Sequence, residues 1–374
     1  MRNYALLILG CIALAGCEEE VVKGSPAPAR PPVSAAPVAS GSAAASAKAP
    51  EPTFAELLAT SKPLAPKTGT FSAGPVKVTG ELCTLSDGNP VGPGSGQLLP
   101  TVRVVGDRVV IIAGAEGIIK FYKIEKGAGC KLTLDTAVGT AGTLKASDGK
   151  APHSLSVDDG GRLYASSIYG TVRYKKDLTV DYKCAPSPGG YMVAHQSGKW
   201  GYGHFVNATM SKVTFDEANC KGAASFLDPQ KKAGPFSMIN AVALNGDTAL
   251  IGGVLADGGK HVVAAFDKAG KEKFRIGNTS AAIVPEDGFG WVNAVSLCKL
   301  GICVLDSNFQ GINTWSADGK KHISRISLKE VTGLTGHGWY NDLAVSKNGT
   351  FLAVTHAREV KQVNEGLVYR LTGL

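Results

Sequence analysis

Residues 239–253 decide the fold, and they read Ile-Asn-Ala-Val-Ala-Leu, then Asn-Gly-Asp, then Thr-Ala-Leu-Ile-Gly-Gly. Two largely aliphatic runs on either side of Asn245-Gly246 predict a β-hairpin. A type I′ turn requires positive φ at both of its central positions, which Asn-Gly tolerates. The pattern recurs at residues 292–305 and again at residues 340–354. The folded part is therefore predicted to be an array of antiparallel hairpins.

Three looser copies of the hairpin precede these, at residues 101–113, 152–166 and 192–204. Successive copies are separated by roughly 40 to 53 residues, which is the spacing of β-propeller blades. Six copies predict six blades, with third and fourth strands following most hairpins. Aligning the copies on their turns assigns one residue of each to a single repeat position: Pro100, His153, Met192, Asn240, Asn293 and Asn341.

The predicted ring needs a closure, because the last copy supplies only three strands, ending at residues 367–371. A free strand-like segment at residues 76–82 precedes the first copy, and pairing the two would remove the open sheet edges. In outline the chain resembles the six-bladed NHL-type and lactonase-type propellers. The fold class is thus predicted to be all-β, a six-bladed β-propeller closed by an N-terminal strand.

The N-terminus reads as an export signal, with Met1-Arg2-Asn3 followed by an apolar run too short to span a bilayer. The run ends in Leu14-Ala15-Gly16-Cys17, which resembles the lipobox of bacterial lipoproteins. That resemblance implies cleavage before Cys17 and acylation of its thiol. The alternative is an ordinary signal peptide with a chance cysteine.

The resemblance divides the chain into a lipoprotein signal peptide at residues 1–16, a lipid anchor and linker at residues 17–69, and the propeller at residues 70–374. The linker is rich in Ala, Pro and Ser and cannot bury enough apolar surface to order itself, which predicts a disordered tether. The predicted location is the bacterial cell envelope, favouring the outer membrane. Its periplasmic side and the cell surface both remain open.

Eight cysteines indicate the compartment. Cys11 leaves with the signal peptide and Cys17 takes the lipid, so six remain, and an even number in an exported domain predicts disulfides. Cys298 and Cys303 flank a predicted hairpin turn, which makes their pairing easy. Six cysteines allow 15 connectivities, and sequence order favours Cys83–Cys130 and Cys184–Cys220 for the remaining four. The absence of a Cys-x-x-Cys pair excludes the common zinc and haem motifs.

The formal net charge is +8, and lysines crowd the predicted turns between third and fourth strands. One interpretation is attraction to an anionic envelope surface or polymer. The other is that lysine on outer strands prevents edge-to-edge pairing. A nucleic-acid partner is not expected, because the chain is predicted to be exported and carries no aromatic-basic stacking patch.

The sequence contains no Gly-x-Ser-x-Gly elbow, His-Glu-x-x-His motif, Walker loop or dinucleotide fingerprint. One constellation remains: His153, Asn240, Asn293 and Asn341 share a repeat position, so they are predicted to ring one mouth of the channel. Residues 340–345 resemble a ligand segment of the lactonase and paraoxonase-type propellers. That resemblance implies a central Ca²⁺ held by the four residues of this ring together with Asp342. The alternative is that each asparagine caps its own turn.

Three functions follow as expectations. The first is a non-enzymatic, membrane-anchored binding scaffold for an unknown protein or envelope component. The second is a Ca²⁺-dependent lactonase- or esterase-like hydrolase with its site at the channel mouth. The third is a purely structural envelope protein.

Overall fold

Six antiparallel sheets stand side by side as the blades of a β-propeller. The coordinates are those of a computed structural model, which describes residues 68–88, 101–113, 118–145, 152–167, 169–184, 190–204, 208, 210–216, 220–227, 235–277, 285–333, 339–345, 352–360 and 363–374. The predicted all-β class and six blades are confirmed.

Blades are numbered in the order of their innermost strands. Blade I contains β3 (Thr84–Leu85), β4 (Val102–Val105), β5 (Arg108–Ala113), β6 (Ile118–Ile124), β7 (Lys131–Leu134) and β8 (Thr143–Lys145). Blade II contains β9 (Ser154–Val157), β10 (Leu163–Ser167), β11 (Gly170–Tyr174) and β12 (Val180–Cys184). Blade III contains β13 (Tyr191–Ala194), β14 (Trp200–His204), β15 (Met210–Phe215) and β16 (Cys220–Leu227).

The remaining three blades follow the same plan. Blade IV contains β17 (Phe236–Asn245), β18 (Thr248–Leu255), β19 (His261–Phe266) and β20 (Glu272–Ile276). Blade V contains β21 (Val292–Cys298), β22 (Gly301–Asp306), β23 (Gly311–Trp315) and β24 (His322–Ser327). Blade VI contains β25 (Trp339–Val345), β26 (Leu352–Val360), β27 (Val363–Thr372) and, from the start of the chain, β2 (Val76–Leu82) and β1 (Thr68–Ala73).

The deciding hairpin forms as predicted, but its turn differs in type. Asn245 pairs with Thr248, so the two loop residues are Gly246 and Asp247. Of these only Gly246 has positive φ, at 54°. Glycine at the first central position fits a type II′ turn, which requires positive φ only there. The prediction of a type I′ turn centred on Asn245-Gly246 was therefore wrong. The turn is centred one residue later, on Gly246-Asp247, and fits type II′.

The ring closes as predicted, by antiparallel pairing of β2 with β27. Continuing past β2, the chain crosses into the next blade: the Cys83 amide donates to the Val368 carbonyl of blade VI, and the Thr84 amide donates to the Cys130 carbonyl of blade I. The segment from β2 to β3 therefore joins the last blade to the first. The sequence did not predict β1, which adds a fifth strand outside β2 and begins two residues before the predicted boundary.

The hydrophobic core is divided among the blade interfaces. Six clusters of buried side chains each draw from two neighbouring sheets, so all six interfaces are apolar. This follows from strand alternation, because a sheet between two others buries both of its faces and its strands carry long aliphatic runs. β22, for example, is buried at five of its six positions.

A short helix, α1 (Leu328–Thr332), fills the space between β24 and β1. Ser327 caps its first turn, and the left-handed Gly333 ends it. Gly69 of β1 lies against the helix so closely that a Cβ atom there would overlap the Glu330 carbonyl oxygen. No helix in the described part of the chain is long and apolar enough to cross a membrane.

Three disulfides are present: Cys83–Cys130, Cys184–Cys220 and Cys298–Cys303. They are the pairs that sequence order favoured. Cys83–Cys130 ties the closing segment to blade I, Cys184–Cys220 joins the outer strands of blades II and III, and Cys298–Cys303 crosses the first hairpin of blade V. The predicted signal peptide, Cys17, the linker up to residue 67, Pro100 and the Asn348-Gly349 turn lie outside the described residues.

Candidate functional site

The six innermost strands β4, β9, β13, β17, β21 and β25 form a closed ring in which each contacts the next. They run in the same direction: in β9 the hydroxyls of Ser154 and Ser156 accept from the amides of Met192 and Ala194 in β13. All six strands therefore begin at one end of the propeller, which we call the entry face. The opposite end, with the turns from first to second and from third to fourth strands, we call the exit face.

Asn240 and Asn293 connect neighbouring blades. The Asn240 Nδ2 donates to the Val292 carbonyl oxygen at 3.0 Å, and the Asn293 Nδ2 donates to the Tyr340 carbonyl oxygen at 3.1 Å. Both partners belong to the innermost strand of the following blade. Each NH₂ group is therefore used in a hydrogen bond between blades, and the shared polar space around the axis stays a prediction.

A backbone irregularity explains why asparagine recurs here. The pairing of first and second strands shifts register between Ile239 and Ala241, again between Val292 and Ala294, and again between Tyr340 and Asp342. The residue left at each β-bulge is Asn240, Asn293 or Asn341. A bulge re-aims the side chain of its extra residue. We conclude that the repeated asparagine marks a bulge whose side chain can leave its own sheet.

The sequence alignment was off by one residue in blades I and II. The side chains that reach the next blade there are those of Thr101, whose hydroxyl donates to the His153 carbonyl at 3.4 Å, and Ser154, which accepts from the Met192 amide at 3.0 Å. The predicted Pro100 and His153 precede them. His153 therefore does not share the position of the asparagines.

Asp342, the predicted acidic cation ligand, is paired with an arginine. Its Oδ2 accepts from Arg103 Nη1 at 2.7 Å and from the Val102 amide at 3.0 Å, while its Oδ1 accepts from the Leu343 amide. Arg103 Nε also donates to the Leu155 carbonyl at 2.7 Å. The Arg103 guanidinium, on blade I, thus binds both neighbouring blades, VI and II. The contact with blade VI lies at the interface between the last blade and the first.

This pairing weighs against the predicted calcium site. A cation placed on Asp342 would lie beside the positive charge of Arg103, and like charges a few ångströms apart repel strongly where water is scarce. Within the described residues, no group of three or more His, Cys, Asp and Glu side chains is arranged to hold a metal ion. The Asp342 carboxylate is thus paired with Arg103, and the calcium site stays a prediction.

His153 belongs to an aromatic cluster at the entry face of blades II and III. Its ring centroid lies 6.1 Å from that of Tyr191, which stacks on His204 at 5.1 Å. Burial lowers the pKa of His153 and raises the pKa of Tyr191, so both side chains are uncharged at neutral pH. Such a cluster packs as an apolar unit with polar edges.

An exposed aromatic side chain stands on the entry face of blade V. Phe309, in the turn between β22 and β23, is 39% exposed. Its backbone amide donates to the carboxylate of Asp306, which also accepts from the amides of Gly290, Trp291 and Asn308. The buried Asp306 therefore organises two entry-face loops around one charge.

The Phe309 ring itself is held in place by Arg325. The Arg325 guanidinium lies 4.5 Å from the ring centroid and donates to the carbonyls of Pro285 and Gly288. Tyr169, 59% exposed, lies in the corresponding turn of blade II, three blades away. Sequence reasoning missed these residues, although an aromatic residue in a turn flanked by hydrophobic strands is a signal that could have found them.

The asparagines can be tested directly. We expect Asn240→Asp to destabilise the propeller at least as much as Asn240→Ala, by about 1–2 kcal/mol at neutral pH, because a carboxylate cannot donate to the Val292 carbonyl. Thermal melts of both variants in calcium and in chelator provide the measurement. A calcium ligand would behave oppositely, since aspartate would retain or strengthen metal binding and only the alanine variant would lose stability in calcium.

The chain is a six-bladed β-propeller closed by its own N-terminal strand. No protein-family model matches it, and no curated protein is similar to it in sequence. Among solved structures it is similar to a chain in the crystal structure of the mitotic checkpoint complex, at 12% identity and a TM-score of 0.45, over 71% of this chain and 73% of that one. It is also similar to the Myceliophteria thermophila Cps50 (Swd1) β-propeller domain, at 13% identity and a TM-score of 0.45, over 81% and 99%. At such low identity, nothing about partners or activity follows from either similarity.

Proposed function

We propose that this protein is a lipid-anchored lipoprotein of the bacterial cell envelope whose β-propeller is a non-enzymatic binding scaffold. The observation on which the scaffold proposal rests is that the Phe309 side chain is exposed on the entry face while its ring is held in place by Arg325. A rigid aromatic side chain that is already ordered loses little entropy on binding, and such residues supply much of the energy of protein interfaces.

The polar network around the axis supports the same reading. Asn240, Asn293 and Asp342 each use a side-chain atom to hold the next blade. A network used in this way holds neighbouring blades against one another. The Asp342–Arg103 pair occupies the carboxylate that the calcium-dependent hydrolase would use as its acidic ligand.

The scaffold is tested by crosslinking in cells. A photoreactive amino acid at Asn308, beside Phe309, should give a discrete adduct with a partner, and Phe309→Ala should reduce that adduct strongly. Loss of a buried aromatic anchor commonly costs 2 kcal/mol or more, which is roughly a thirtyfold loss of affinity. The same crosslinker at Val180, an exposed position on an outer strand of blade II, is the matched control. Identical adducts from both positions, or adducts indifferent to Phe309→Ala, would contradict the proposal.

The anchor is supported by the lipobox-like Leu14-Ala15-Gly16-Cys17 and by three disulfides, which belong to an oxidising compartment. We expect Cys17→Ser to abolish acylation, because that thiol is the only predicted site of lipid attachment. Mass spectrometry of the exported protein should show the loss of the lipid mass, with the disulfide-bonded domain unchanged. Lipid still attached to the variant would refute the assignment of Cys17.

A further inference from the structure

The described arginine and lysine side chains are used differently. Arginines form structural ion pairs with partly or fully buried carboxylates, among them Arg103–Asp342, Arg162–Asp158 and Arg173–Asp181. Exposed lysines instead collect at the exit face, in the turns between third and fourth strands. Within the described residues, no ion pair is formed by Lys126, Lys175, Lys176, Lys268, Lys271 and Lys321.

These turns, which we call the outer turns, share a construction. In blades II, IV and V one carboxylate oxygen of an aspartate accepts hydrogen bonds from its own turn. Asp177 accepts from Thr179, and Asp267 accepts from the amides of Ala269 and Lys271. Asp318 accepts from the hydroxyl of Ser316 and the amide of Lys320. Each is accompanied by two exposed lysines, of which Lys320 also lies 3.7 Å from the other carboxylate oxygen of Asp318. Local hydrogen bonds thus shape the turn, and the lysines exceed the acidic charge.

The same excess occurs in blades I and VI. Lys126 lies beside Glu125 in the outer turn of blade I, with exposed Lys131 following, and Lys77 lies at the exit-face end of β2, where β27 ends. The inner turns of the exit face are more acidic, with exposed Asp107, Asp159 and Asp247 against Lys199 and Lys299. In blade III the described residues beside the outer turn, Asp216 and Lys221, form an exposed ion pair and show no excess of positive charge. The positive charge therefore follows the rim of the face in the other five blades.

Edge protection accounts for only part of this distribution. Lysines that prevent edge pairing belong along the free edges of the outermost strands. Of the outermost strands, β1, β3 and β24 contain no lysine, whereas β12, β16 and β20 contain Lys183, Lys221 and Lys273. Lys221 and Lys273 are the second residues of their strands, next to the outer turns, and the turn before β24 carries Lys320 and Lys321. Most of these lysines therefore lie toward one end of the propeller.

We propose that the exit face docks on an anionic lipid bilayer through the lysines of its outer turns. Positive charge spread around a face, in five of its six blades, fits a plane, whereas a linear polymer would require a continuous stripe or groove. Each lysine held near an anionic bilayer contributes roughly a fivefold increase in binding, and the attraction falls off within a Debye length of about 8 Å at physiological salt. Docking in this orientation turns the entry face, with Phe309, away from the membrane. The proposal does not require the lipid anchor.

The test uses the chain from Glu18 onward, so that no lipid is attached. This chain retains all six sheets and all three disulfides, because they lie between Thr68 and Leu374. Co-sedimentation is measured with vesicles of phosphatidylglycerol and phosphatidylcholine in equal amounts, and with phosphatidylcholine alone. We expect binding only to the anionic vesicles, with a steep loss as salt is raised.

The triple variant Lys176→Gln, Lys268→Gln and Lys321→Gln removes one lysine from each of three outer turns. It should lower the partition coefficient by on the order of a hundredfold. The control removes the same charge elsewhere, by Lys145→Gln, Lys260→Gln and Lys329→Gln, and should retain most of the binding. Unchanged melting temperatures show that both variants are folded.

Three results would overturn the proposal: no binding to anionic vesicles at low salt, equal losses in the two triple variants, or equal binding to vesicles of phosphatidylcholine alone. Binding to a soluble anionic polysaccharide such as heparin, without binding to vesicles, would assign the surface to a polymer instead.

Discussion

Replacing Cys83 and Cys130 together by serine is expected to lower the free energy of unfolding by about 4 kcal/mol. The disulfide closes a loop with a sequence separation of 47 residues, and the chain-entropy relation gives about that value for a loop of this size. The effect should be large in practice because Cys83 lies between β2 of blade VI and β3 of blade I. Its loss releases the segment that closes the ring. Denaturant unfolding of the oxidised proteins gives the measurement.

The Cys298–Cys303 pair supplies the comparison. It spans only 5 residues, so its double serine variant should lose about 2 kcal/mol, roughly half as much. Cys184–Cys220, with a separation of 36 residues, should be close to the larger value. If the Cys298–Cys303 variant lost more free energy of unfolding than the Cys83–Cys130 variant, the closure of the ring would not depend on the Cys83–Cys130 disulfide.

Asp342→Ala is expected to cost about 3 kcal/mol, at the lower end of the range for breaking a buried ion pair because Arg103 keeps some contact with water. The substitution leaves the Arg103 guanidinium without its carboxylate and removes the acceptor of the buried Val102 amide. Thermal and denaturant unfolding of the variant provide the measurement. Lys221→Ala breaks an exposed pair, Lys221–Asp216 at 3.8 Å, and should change stability by less than about 0.5 kcal/mol.

A double-mutant cycle isolates the pair itself. Arg103→Ala together with Asp342→Ala should cost clearly less than the sum of the single substitutions, because each single variant leaves the other group unpaired. Additive losses would mean that the two side chains do not interact across the interface between the last blade and the first. Calcium should not rescue Asp342→Ala, since the missing group held an arginine.

The sequence by itself determined the scaffold. Asn245-Gly246 between two aliphatic runs predicted the hairpin, and the recurrence of this pattern predicted six blades. The strand-like segment at residues 76–82 predicted the closure of the ring. All of these depend on local propensity and on a period of two along each strand, which are properties of the chain before it folds. The disulfides followed from order along the chain, because neighbouring blades bring successive cysteines together.

Only the tertiary structure decided what the polar residues do. Asn240 and Asp342 looked like cation ligands, since sequence shows their types and spacing but not their partners. Their partners, Val292 and Arg103, lie 52 and 239 residues away and are brought within hydrogen-bonding distance by blade packing. A one-residue bulge decides which side chain leaves its sheet, and the hydrophobic pattern does not fix bulges. The exposure of Phe309 and the placement of the lysines at the rim likewise depend on which turns lie on the same face. Only the closed ring of blades decides that.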